Sequence, residues 1–89
     1  MTQNEALKEV IAAYDECKGG LWLGAKPQDI TMCENLALCA MENALKGDWK
    51  TAQRWARRCI EMEKEIGFEN APLWGEFGDT IERVYKKVE

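Results

Sequence analysis

The sequence predicts an all-α protein: a compact four-helix domain with a central buried helix. Three observations carry this. Apolar residues recur at helical spacing in four segments, approximately 3–18, 29–46, 49–66 and 72–88. The stretches between them are rich in helix stops and starts, with Gly19-Gly20, Gly47-Asp48, Gly67 and Pro72. No segment alternates apolar and polar residues over a strand's length. At 89 residues the chain forms a single domain, 1–89. A chain of this size buries only roughly 60–65% of its unfolded surface, so its core is thin.

The first helix opens on Thr2-Gln3-Asn4-Glu5, which has the spacing of a capping box. Leu7, Val10, Ile11, Tyr14 and Cys17 then share one face, with Lys8, Glu9, Asp15 and Glu16 outside it. Gly19-Gly20 ends the helix, since glycine takes the left-handed conformation at little cost. In the loop that follows, Leu21, Trp22 and Leu23 stand between Gly20 and Gly24. The plain reading is that Trp22 folds back over the open end of the core. The functional reading is an exposed apolar plug that docks into a partner or a second copy.

Pro27 suits a first helical turn, and Thr31-Met32-Cys33-Glu34 offers a second capping box, so the second helix starts between 27 and 32. Met32, Cys33, Leu36, Ala37, Leu38, Cys39, Ala40, Met41, Ala44 and Leu45 cover nearly its whole circumference. A helix apolar all round belongs inside a bundle. Gly47 stops it, and Asp48 is placed to cap the third helix. That helix turns Ala52, Trp55, Ala56, Cys59, Met62 and Ile66 inward and Lys50, Arg54, Arg57, Arg58, Glu61 and Glu65 outward. In the fourth, Leu73, Phe77, Ile81, Val84 and Val88 form the inner face. Gly75 and Gly78 each cost about 1 kcal/mol in a helix, so they mark a close crossing or a break. One helix over 72–88 is the expectation. The expected core is Leu7, Val10, Ile11, Tyr14, Leu36, Ala40, Ala44, Ala52, Trp55, Cys59, Ile66, Phe77, Ile81 and Val84.

Residues 33–66 resemble a single tetratricopeptide repeat, a two-helix unit about 34 residues long. The likeness is carried by Gly47-Asp48-Trp49-Lys50-Thr51-Ala52, similar to that repeat's Gly-Asp-Tyr-x-x-Ala turn, with Ala40 and Cys59 at its small positions. Leu36 and Asn43 stand where the repeat has aromatics, and Lys64 where a proline commonly ends it. The same corner is what any tight helical hairpin asks for. The resemblance implies peptide or protein binding rather than catalysis.

Composition narrows the function further. Net charge is −4, which argues against nucleic-acid binding, because phosphate neutralisation needs a basic surface. Nothing approaches the ~20 apolar residues of a membrane span. The N-terminus lacks the basic start and apolar core of a signal peptide, so a cytoplasmic protein is expected, its four cysteines as buried thiols. Without histidine the commonest general base and zinc ligand are missing. Neither a Cys-x-x-Cys pair nor a Glu-x-x-His motif is present, so no catalytic residue, cofactor or metal ligand is assigned and an enzyme is not expected.

Two surfaces stand out for a protein partner: Leu21-Trp22-Leu23, and the strip Lys50, Arg54, Arg57 and Arg58 at i, i+4, i+7, i+8. Arginine forks recognise carboxylates or phosphates bidentately. A solvated face, with Arg57 and Arg58 bracing Glu61, is the plain alternative for the strip. The expected function is a non-enzymatic protein-interaction module, a small regulator or inhibitor that occupies a partner's surface. The alternatives are a nucleic-acid-associated or nucleic-acid-mimicking protein, the latter through Glu5, Glu9, Asp15, Glu16, Glu34 and Glu42, and a homodimer joined by the apolar loop.

Overall fold

Thr2 and Glu5 start the first helix as their spacing implies. The Glu5 N–H donates to Thr2 Oγ1 at 3.2 Å, and the Thr2 N–H donates to Glu5 Oε1 at 3.3 Å. The computed structural model describes residues 1–18, 26–66 and 73–88, with the backbone alone at Pro27, Ile66 and Leu73. Among these residues there are four helices and no strand: α1 Gln3–Lys18, α2 Pro27–Leu45, α3 Trp49–Ile66 and α4 Leu73–Tyr85. This is the all-α four-helix fold that the periodicity predicts.

Helix α2 begins at Pro27, at the early end of the expected 27–32 range and two residues before the approximate bound of 29. Proline's fixed φ suits the first turn, and the Asp29 and Ile30 amides reach back to the Lys26 carbonyl. Thr31 therefore lies inside the helix rather than capping it. At the other end Gly47, with φ +83°, closes a Schellman motif: its N–H donates to the Ala44 carbonyl (3.0 Å) and that of Asp48 to Asn43 (2.9 Å). Asp48 then caps α3 by accepting the Thr51 N–H at 3.1 Å. Those hydrogen bonds from Thr51 hold the Asp48 carboxyl below its usual range. The Gly47–Ala52 corner turns α2 back along α3 as expected.

The four helices close a ring in which α2 packs on α3, α3 on α4, α4 on α1 and α1 on α2, while α2 and α4 also meet across the middle. The radius of gyration is 12.3 Å, against about 12 Å for a compact chain of this length. Six alanines form the centre of the core: Ala6, Ala37, Ala40, Ala44, Ala52 and Ala56 are fully buried. Small side chains let helix axes approach closely. The larger residues Val10, Cys33, Cys59, Trp74, Phe77, Ile81 and Val84 fill in around them.

Some core expectations need correction. Ile11 is 40% exposed, because α1 turns Ala6, Val10 and Cys17 inward instead, leaving Leu7 and Tyr14 at the core's edge. Tyr14 covers α4, with ring centroids 5.5 Å from Trp74 and 5.8 Å from Phe77. Helix α2 does touch all three others, yet it is not buried all round: Met32, Leu38 and Leu45 are exposed. In a ring of four helices each one keeps an outer face. Leu36 and Trp55 are half-buried against the core, and the side chain of Ile66 lies outside what is described.

Helix α4 is continuous through both glycines and stops at Tyr85 rather than 88, ending in a turn where the Lys87 and Val88 amides donate to the Val84 carbonyl. At Gly78 helix α4 passes close to the backbone of α3. A β-carbon there would stand 2.8 Å from the Ala56 carbonyl oxygen and 2.8 Å from Ile60 Cγ1. The glycines are a crossing point, not a break.

Candidate functional site

Helix α3 keeps one arc of its surface clear of the other helices, and Lys50, Arg54 and Arg58 lie on that arc. Lys50, Arg54, Arg57 and Arg58 are all exposed. Four residues advance a helix by about 6 Å and rotate it by about 40°, so Lys50, Arg54 and Arg58 form a shallow row about 12 Å long.

The four cations do not share one environment. Arg57 turns toward α4, where its Nε lies 3.0 Å from Glu82 Oε1 in an ion pair, and Gln53 donates to the same oxygen at 3.2 Å. The expected bracing of Glu61 is replaced by this inter-helix contact. Arg58 instead stacks over Trp55, its guanidinium carbon 5.9 Å from the ring centroid. That is within cation–π range. Lys50, Arg54 and Arg58 form no ion pair among the described residues. The row is therefore Lys50, Arg54 and Arg58 with Trp55 beneath its far end. Trp55, expected purely as core, is half-buried and offers an indole face to the strip. Its i, i+3 spacing to Arg58 was the available signal.

The second expected surface, Leu21, Trp22 and Leu23, lies outside the described residues. On the acidic side, Glu9 pairs with Arg83 of α4 at 3.0 Å, and the hydrogen bonds from Thr2 hold the Glu5 carboxyl below its usual range. Those two acids serve the fold.

The thiols are placed for packing. None of the four cysteines forms a disulfide; Cys17, Cys33 and Cys59 are buried and Cys39 half-buried. Burial pushes Cys17 and Cys33 up to about 11 and Cys59 up to about 12. Thiolate, the reactive form, is thus suppressed at neutral pH. Among the described residues no three His, Cys, Asp or Glu side chains converge as a metal site. No helix there is long and apolar enough to cross a membrane. Compared with protein-family models, curated proteins and solved structures, the chain matches none of them.

Proposed function

We propose that this chain is a non-enzymatic protein-interaction module, a small cytoplasmic regulator that acts by occupying a partner's surface. The observation that carries the reading is the row Lys50, Arg54 and Arg58. It consists of exposed cations without ion pairs among the described residues, one of them stacked on a half-buried tryptophan. Arginine and tryptophan are enriched among residues that dominate binding energy. The resemblance of 33–66 to a tetratricopeptide-repeat hairpin supports the same class of function. Four cysteines with no disulfide between them support a reducing compartment.

The test is capture of partners from the native lysate by wild type, Arg54→Glu/Arg58→Glu and Trp22→Ala. Loss of captured protein in the arginine double variant supports the strip. Loss in Trp22→Ala alone moves the contact to the loop, and retention in both ends the proposal for both surfaces. Sedimentation of wild type and Trp22→Ala decides whether the chain associates with itself through that loop.

A further inference from the structure

We infer that the Lys50–Arg54–Arg58 row receives a short acidic segment of a partner protein, whose carboxylates lie along α3 at helical spacing. This rests on the reading of that row as the contact surface and adds the chemistry of what meets it.

The row has a defined step. Its cations rise about 6 Å apart along α3, and carboxylates at i and i+4 of an acidic helix rise by the same amount, so two helices side by side bring them into register. Arg58 is partly ordered before anything binds, because its guanidinium lies over Trp55, and a guanidinium carries its N–H donors along a planar edge. A carboxylate meeting that edge accepts two parallel hydrogen bonds. Less side-chain freedom is lost on binding when the donor is already positioned.

The row also has ends. Asp48 stands just before Lys50, and exposed Glu61 and Glu65 follow Arg58 one and two turns on. An anion longer than about 12 Å along this axis runs onto those carboxylates. Arg57, drawn to Glu82, does not widen the row. Outside Lys50, Arg54, Arg57 and Arg58, the chain carries eight bases against sixteen acids. A phosphate backbone, which needs an extended basic track, is repelled nearly everywhere else. A short carboxylate segment fits the row without meeting that repulsion.

The experiment titrates a fluorescent helix-forming peptide with Glu at i, i+4 and i+8 into the full chain. The same peptide with Gln at those places and a single-stranded DNA oligonucleotide serve as comparisons. The Glu peptide is expected to bind at least about tenfold more tightly than the Gln peptide. Arg54→Gln/Arg58→Gln is expected to remove at least that preference while the far-ultraviolet helical signal stays unchanged. Arg58→Lys, which keeps the charge but loses the fork, is expected to recover only part of it. Equal binding of the two peptides, no binding of either, or an unchanged affinity in the double variant overturns the inference. So does tighter, steeply salt-dependent binding of the oligonucleotide. The lysate capture separates the two levels. If Arg54→Glu/Arg58→Glu captures what wild type captures, the surface itself is wrong. If capture depends on those arginines but the Glu peptide does not compete for it, only the acidic segment is wrong.

Discussion

Gln3 holds Trp49 across 46 residues of chain: its Oε1 accepts the indole Nε1–H. The other end of the same carboxamide, Nε2, donates to the Ala44 carbonyl at 3.3 Å. One side chain from the start of α1 thus ties the end of α2 to the beginning of α3. Trp49 is only 6% exposed, so its N–H depends on that partner. Gln3→Ala is expected to destabilise the chain by about 1–3 kcal/mol, the cost of leaving a buried donor unsatisfied. That is a fall in Tm of roughly 4–8 °C per kcal/mol for a domain this small. A double-mutant cycle with Trp49→Phe checks it, and additive losses would show that the two residues are not coupled.

Gly47 tests the corner from the backbone side. A β-carbon there meets nothing closer than Gln3 Nε2 at 3.7 Å, which is ordinary contact. The cost of Gly47→Ala therefore comes from φ +83° alone, about 1–2 kcal/mol for an L-residue in the left-handed region. Gly47→Asn, which tolerates that region better, is expected to lose less in chemical denaturation.

These two features differ in how far the sequence discloses them. The capping box at Thr2 and Glu5 and the Gly47-Asp48 corner join residues at most five apart, so spacing alone reveals them. The Gln3–Trp49 and Arg57–Glu82 contacts depend on which helices become neighbours, and no local pattern states that. The same limit explains α1. Reading for large apolar residues selects Ile11 over Ala6, whereas close helix packing places alanine at the centre and larger side chains beside it. In the candidate site, the i, i+4 spacing of Lys50, Arg54 and Arg58 was legible as a row. The diversion of Arg57 to α4 was not, and the exposed face of Trp55 was hidden by its place in the apolar pattern.

The crossing of α3 and α4 predicts that two glycines on one helix respond differently to the same change. Alanine gains about 1 kcal/mol over glycine in a helix. At Gly78 its β-carbon meets the backbone oxygen of Ala56, which cannot move without shifting α3. Overpacking of about 1–3 kcal/mol outweighs the gain in most of that range, so Gly78→Ala is expected to be destabilising. At Gly75 the close atoms belong to the Glu63 carboxylate, the far end of a flexible chain. It can swing away at the cost of the 2.6 Å bond it accepts from the Gly75 N–H. Gly75→Ala is therefore expected to be near neutral, and urea midpoints for both variants decide the order.

Glu63 predicts an unusual pH dependence. Burial pushes its carboxyl above the ordinary 4.5, with Asp79 and Glu76 adding to the rise, and the Gly75 N–H and Lys64 opposing it. A carboxyl with a raised native pKa binds its proton more tightly when folded. Its charge thus weighs against folding above that pKa, and the burden fades as pH falls through it toward 4.5. Glu5 and Asp48 have the opposite sign. Hydrogen bonds from Thr2 and Thr51 lower their native values, so their contribution is present at neutral pH and lost on acidification through those values. Glu63→Gln keeps an acceptor for Gly75 and removes the half-buried charge. Its Tm is expected to exceed that of wild type at pH 7, with the difference closing as pH approaches about 4.5. A variant that is less stable than wild type by the same margin at every pH would mean that the Glu63–Gly75 bond, not the cost of burying the charge, governs this contact.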